Sequence, residues 1–364
     1  PLIALPWFFF PFATTRGFLF QIIVEILFVL WAVVAVRNPA VRPPSTILLY
    51  AVSMYFGTLL LSTVFGLDPY RSFFGNYERM WGFFQLSHFF LFFIILAGVF
   101  KTRDEWRRLL NIALFAGFVV AAFGAVQFFS GVSRASSFIG NPAFLAGYLF
   151  FTLGFSLLFF FEKVSVFSPY LLLAILALFA ILATGTRGAL VALFAVAATL
   201  AVLFLLFVRN KWQKAAAGLF LFLAAAGVAW LFAYGSLFEK PMRVSENEFY
   251  RVEHFDAQES RGEGSGLFGR LTRFSLYDPT TLTRIATWKT VLRSLGDYPL
   301  LGVGPENFIL AFNKYFNPEF YTAERFEIWF DRAHNVFIDA LVMYGWVGFL
   351  AYLFVFGAAF WTMR

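Results

Sequence analysis

The segment Asp331-Arg332-Ala333-His334-Asn335 runs without a break into Val336-Phe337-Ile338-Asp339-Ala340-Leu341-Val342-Met343-Tyr344-Gly345-Trp346-Val347-Gly348, and the apolar run continues to residue 361. A run of this length with one acid in it can cross a hydrocarbon layer about 30 Å thick as a helix. Nine further apolar runs precede it, at about residues 2–13, 17–36, 46–66, 82–100, 109–129, 142–161, 169–184, 188–208 and 214–238. A bilayer offers backbone groups no water, and these runs lack strict alternation, so the spans must be helices rather than barrel strands. The chain therefore reads as an all-α polytopic membrane protein with ten candidate spans. Those at 2–13 and 169–184 are short for a crossing of about 20 residues, and Pro6 and Pro11 should bend the first.

Composition agrees. The 364 residues are 60% hydrophobic and 22% aromatic, with 55 Phe and a mean hydropathy of +0.75, far above the apolar share of a soluble domain. Cysteine is absent, so the outward-facing part is held together without disulfides, and neither a thiolate metal site nor a catalytic thiol is available. No cleavable signal peptide is legible. Because the sequence starts at Pro1 and stops soon after a span, further sequence is expected beyond its ends.

The net charge of +7 dissolves as a nucleic-acid signal once the charges are placed. Outside residues 239–333 there are 16 Lys and Arg against 7 Asp and Glu, and inside that segment 12 against 14. The excess belongs to loops between spans, where it sets orientation. Alternate loops carry ten basic residues (Arg37 and Arg42; Lys101, Arg103, Arg107 and Arg108; Lys163; Arg209, Lys211 and Lys214), and the opposite set five (Arg16, Arg71, Arg79, Arg134 and Arg187). The first set is then cytoplasmic, residues 239–333 face outward, and nucleic acid is not an expected partner. The domain reading is transmembrane helices over 1–238, a large extracytoplasmic loop over 239–333 and a further transmembrane helix over 334–364.

Within that loop, Arg261-Gly262-Glu263-Gly264-Ser265-Gly266 reads as polar and mobile. Thr281 to Leu295 reads as a helix opened by Asp278-Pro279, with Ile285, Trp288, Val291, Leu292 and Leu295 on one face. Phe308 to Phe316 reads as a second short helix, lying on the membrane surface by its aromatic side.

Chemistry is expected first at His334, where the longest polar segment meets a span. An imidazole, with an unperturbed pKa of about 6.5, can take a proton from a hydroxyl and pass it on. The plainer reading is that His334 and Asn335 cap the following helix. Arg187, in the tight turn Thr184-Gly185-Thr186-Arg187-Gly188, is costly near hydrocarbon and suits a polar cavity or a phosphate, or else anchors at the interface. Arg284, 50 residues before His334, can grip two phosphate oxygens at once, or pair with a loop carboxylate. Gly302 and Gly304, in Pro299-Leu300-Leu301-Gly302-Val303-Gly304-Pro305-Glu306-Asn307, could turn backbone N–H groups toward an anion or simply form a turn. Arg79, in Asn76-Tyr77-Glu78-Arg79-Met80-Trp81-Gly82, could join the same cavity, and Asn141, in Ile139-Gly140-Asn141-Pro142, stands before a helix on the same side. His88 is expected to make an interhelical hydrogen bond. Glu25 and Asp339 are isolated acids within spans, and Asp339 could orient His334 only if the helix began irregularly. With no His-x-x-x-His, paired cysteines or Asp-x-Asp, no catalytic metal or cofactor is expected. A nucleophile elbow and a phosphate loop are also absent.

Taken together, Thr184 to Gly188, an Arg 50 residues before the histidine, Pro299 to Gly304, and His334-Asn335 followed by nine residues, Gly345, two residues and Gly348 resemble the O-antigen ligase and polymerase superfamily of bacterial envelope enzymes. The pattern covers roughly residues 135–350. The resemblance implies a GT-C-like multispan helical bundle in the bacterial inner membrane. It implies inverting, metal-independent transfer of a glycan from undecaprenyl pyrophosphate to a hydroxyl on a lipid, glycan or protein acceptor, on the periplasmic side. By matching positions it makes His334 the catalytic base and gives the pyrophosphate to Arg187 and Arg284, with Arg79, Asn141, Gly302, Gly304 and Asn335 as further candidates for substrate contact. Two departures stand out: Met343 occupies a position where relatives commonly carry Glu, and about twelve spans are usual where ten are read here. A polymerase, a protein O-oligosaccharyltransferase and, from another class, a lipid-linked glycan flippase are the rival readings. Against the last, no internal repeat is evident and the notable side chains share one face.

Overall fold

The computed structural model describes residues 2–3, 10–77, 79–162, 164–207, 218, 279–316 and 329–362. Among the described residues every regular element is helical. The helices are α1 Thr14–Arg37, α2 Ile47–Phe65, α3 Pro69–Phe74, α4 Phe83–Val99, α5 Arg103–Phe129, α6 Pro142–Glu162, α7 Pro169–Ala183, α8 Arg187–Phe207, α9 Pro279–Val291, α10 Ser294–Asp297, α11 Phe308–Lys314 and α12 Val336–Thr362.

Their ends follow from local chemistry. Thr46 Oγ1 accepts from Leu49 N at 3.2 Å to open α2, and Asp68 does the same for α3 ahead of Pro69. At the start of α5, Thr102 and Glu105 form a reciprocal cap: Glu105 N donates to Thr102 Oγ1 (3.3 Å), and Glu105 Oε2 accepts from Thr102 N (2.9 Å). Asn141 opens α6 by accepting from Ala143 N and Phe144 N, with Pro142 in the first turn.

α1, α2, α5, α6 and α12 are each long and apolar enough to cross a membrane, while α4, α7 and the start of α8 are shorter apolar helices. Val29, Phe115 and Phe129 turn outward on these helices, a face that suits lipid better than water. Eight of the ten expected spans coincide with helices. The run at 214–238 lies outside the described residues, as do residues 4–9 of the first run; residues 2–3 and 10–13 are not helical.

The chain forms two compact units, residues 1–2 with 109–278 and residues 3–108 with 279–364, the boundary falling within α5. In the first, α6 packs along α7 through small side chains: Ala146, Ala177, Ala180 and Ala183 are all buried. Small residues let helix backbones approach closely where lipid supplies no hydrophobic drive. Gly117 on α5 lies against Thr152 on α6 with no room for a Cβ. An apolar groove of about 420 Å³ lies between α5 and α7 of this unit, with Tyr170 donating to Asn111 Oδ1 at 3.0 Å on its wall.

In the second unit α1 packs on α4 and α2 on α12. Gln21 donates to Gln85 at 2.7 Å, and one turn along, His88 Nε2 is 3.1 Å from Glu25 Oε1. His88 therefore makes the expected interhelical bond, and its partner is one of the two isolated acids. Residues 279–316 and 329–333 build a core on the end of α12 from Val291, Val303, Phe308, Phe312, Phe330, Ala333, Val342 and Met343. The amphipathic helix expected over 281–295 is present as α9 and the single turn α10. The expectation that residues 308–316 lie on the membrane by their aromatic side is corrected: Phe308 and Phe312, one turn apart, are fully buried in this core and turn that face inward.

Candidate active site

The pentapeptide Asp331–Asn335 is tied to a different element at almost every residue. Arg79 Nη1, in the turn after α3, is 2.9 Å from Asp331 Oδ2. Arg332 pairs through Nη2 with Glu306, and its Nη1 lies 2.9 Å from Met343 Sδ on α12. Burial lowers the pKa of the Arg332 guanidinium, while Tyr344 and Asp339 act in the opposite sense. Ala333 N donates to Asp339 Oδ1 at 2.8 Å, and Ala333 O accepts from Trp288 Nε1 of α9 at 2.7 Å. Asn335 Oδ1 caps α12 by accepting from Phe337 N (3.0 Å) and Ile338 N (3.4 Å).

His334 is the exception. It is exposed, its ring stands edge-on to Phe330 at 6.2 Å, and among the described residues its imidazole has no hydrogen-bond partner. Its backbone φ is +52°, in the left-handed region that costs a non-glycine residue roughly 1–2 kcal/mol. Glu306 (φ +61°) and Met80 (φ +53°), beside Arg79, share that conformation. Strain of this kind persists only where the surroundings over-determine it. An imidazole free to meet a ligand on a backbone that is not free to move is an arrangement suited to proton transfer.

Arg284 is exposed on α9 and has no ion-pair partner among the described residues. It lies four residues before Trp288 and so on the same helix face, the face whose indole reaches the histidine loop. Arg187 and Asn141 belong to the other unit. Arg187 is half-buried at the first position of α8. The turn before it is built by Gly185 (φ +59°) and by Thr184 Oγ1, which lies 3.0 Å from Thr186 Oγ1 and accepts from Thr186 N. Arg134 Nε donates to Thr184 O at 3.2 Å, bringing a second guanidinium to this turn. Asn141 is exposed, and its Oδ1 is engaged in capping α6.

Gly302 and Gly304 lie where the chain packs against α12. The amides of Val303 and Gly304 already donate to Val342 O (3.0 Å) and Met343 O (2.9 Å) of α12. α12 is broken at Gly345 (φ +64°), and beyond the break Trp346 N and Val347 N donate back to Pro299 O and Leu300 O. A Cβ on Gly302 would come within 2.5 Å of Gly345 N, and one on Gly304 within 2.4 Å of Ser72 Oγ. Ser62 Oγ on α2 lies 2.7 Å from both Leu301 O and Met343 O. The glycines let backbone meet backbone, and both are buried.

Sequence reasoning passed over Trp288, Glu306, Arg332 and Arg134 as contributors to these turns. Trp288 was legible as a buried-face residue of a helix, but nothing in the sequence indicates that its indole N–H reaches Ala333. Asp339 touches the histidine loop through the Ala333 amide, not the imidazole.

Residues 172–353, half of the chain, match the family described as O-antigen ligase. The match takes in Arg187, Arg284, the Gly302–Gly304 turn and His334, and leaves Arg79 and Asn141 outside. A comparison with curated proteins returns no match. With that match over half its length and a set of membrane-crossing helices, the chain belongs to the O-antigen ligase family, multi-pass membrane proteins whose chemistry is glycan transfer from a lipid-linked donor to an acceptor.

Proposed function

We propose that this protein transfers a glycan from undecaprenyl pyrophosphate to an acceptor hydroxyl at the periplasmic face of the bacterial inner membrane, with inversion and without a metal ion. His334 takes the proton of the acceptor hydroxyl as its oxygen attacks the anomeric carbon from the face opposite the leaving group. The anomeric C–O bond breaks and undecaprenyl pyrophosphate departs. Arg187 and Arg284 bind its charge, the part that stronger transition-state than ground-state contacts play in lowering a barrier. The observation that carries this reading is the exposed His334 imidazole, without a hydrogen-bond partner among the described residues, on a loop tied at each of its neighbours. Arg284 supports it as an exposed guanidinium on the helix face that reaches that loop.

The test is release of undecaprenyl pyrophosphate from a radiolabelled lipid-linked oligosaccharide by purified protein, with a lipid-glycan acceptor and excess chelator, for wild type and His334→Ala. Chelator-resistant transfer that falls by about 100-fold or more in the variant is expected for loss of a general base. Unchanged transfer in the variant would remove His334 from the mechanism. Single additions identify a ligase, and a ladder of products a polymerase.

A further inference from the structure

An acid five residues after a histidine invites the reading that its carboxylate grips the ring. The geometry differs. Asp339 Oδ1 accepts the N–H of Ala333 at 2.8 Å, and the carbonyl of the same residue accepts from Trp288 Nε1 at 2.7 Å. These two bonds hold the peptide units on either side of Ala333, and the second of those units is the one about which His334 turns. With φ at +52°, His334 occupies a conformation that a free chain would leave, and leaving it would swing the imidazole away from its present direction.

The two clamps come from separate, well-anchored elements. Asp339 sits in the first turn of α12, its own N–H donating to Asn335 O at 2.9 Å. Trp288 packs against the core that contains Ala333 and Phe330. An acid in a first helical turn is often explained by the helix dipole alone. Here the first-turn amides of Phe337 and Ile338 are already served by Asn335, and Asp339 reaches backward out of the helix to Ala333.

We propose that Asp339 and Trp288 are positioning residues for His334, acting through the Ala333 peptide and not through the imidazole; this rests on the reading of His334 as the base. Asp339 supplies a hydrogen-bond acceptor, and its charge is incidental to the task. Trp288 supplies an N–H, and its ring is incidental to the task. Both act on the rate of the chemical step and not on donor binding.

The experiment is steady-state transfer by the full chain in lipid nanodiscs, with lipid-linked oligosaccharide as donor and a lipid-glycan as acceptor. It compares wild type, Asp339→Ala, Asp339→Asn, Trp288→Phe, His334→Ala and the His334→Ala/Asp339→Ala double variant. Asp339→Ala and Trp288→Phe are expected to lose roughly 10- to 100-fold in kcat, the scale of a misplacement near 1 Å, with donor KM unchanged. Asp339→Asn, which keeps an acceptor oxygen, restores kcat to near wild type and leaves the pH profile of kcat/KM in place. The double variant is no slower than His334→Ala, because a residue acting through another has nothing further to lose. Wild-type kcat in either Asp339→Ala or Trp288→Phe overturns the proposal. So does an Asp339→Asn variant as slow as Asp339→Ala with a displaced pH profile, since that would assign the carboxylate's charge to the imidazole. Should Asp339→Ala fail to fold, Asp339→Asn and Trp288→Phe decide the matter by the same readings. Wild-type transfer by His334→Ala is a separate outcome: it sinks the base assignment, whatever the other variants do.

Discussion

Glu306 and Arg332 stand 26 positions apart, and the pair they make leaves only 3% and 16% of their side chains exposed. Removing one member of a buried pair strands the other charge, a loss of roughly 3–5 kcal/mol, whereas replacing both by apolar groups can be neutral. Glu306→Ala is therefore expected to lower the thermal unfolding temperature of the purified protein markedly, and Glu306→Leu combined with Arg332→Met to recover most of the loss. A double variant as unstable as the single one would show that the pair does more than neutralise itself. At this scale the sequence was informative about chemistry and silent about partners. His334 and Arg284 were singled out by residue type and position alone. Glu306, Trp288 and Arg332 were not, since their meaning depends on which segment folds over them. Asn335 was read both ways, and its side-chain oxygen serves as the helix cap.

Gly345 sits inside an apolar run, yet it breaks α12 with φ +64°, and a Cβ there would meet Leu300 C and O at 2.4 Å. Left-handed strain costs a non-glycine residue roughly 1–3 kcal/mol, and the overlap with Leu300 adds to it. Gly345→Ala and Gly302→Ala are expected to reduce the folded yield and the unfolding temperature, while Gly357→Ala, in open space on the same helix, should leave both unchanged or slightly improved. Equal behaviour of all three in a thermal-shift assay would contradict the backbone-packing role. The helices that coincide with apolar runs were legible, because apolar length and the Gly140-Asn141-Pro142 turn are local signals. The break was not, because it exists only where residues 299–304 lie against α12, and the inward turn of Phe308 and Phe312 was missed for the same reason: an amphipathic helix does not say which apolar medium covers it.

Across the whole molecule the charge asymmetry, ten basic residues in one set of loops against five in the other, predicts an orientation that experiment can read directly. The chain has no cysteine, so a single introduced thiol reports without background. Ser133→Cys in intact cells with a permeabilised outer membrane should react with a membrane-impermeant maleimide, and Ala40→Cys should react only after the inner membrane is lysed. The reverse pattern would turn the His334 loop to the cytoplasm and remove it from a periplasmic acceptor. The interlock between residues 299–304 and α12 bears on how this family can be recombined. Carbonyls of Val342 and Met343 are served by amides of Val303 and Gly304, so residues 299–304 and the helix that follows form one exchangeable part. A chimera cut at the start of α12 would graft a foreign loop onto a helix whose gap it does not fill; a viable cut carries residues 299–348 across together.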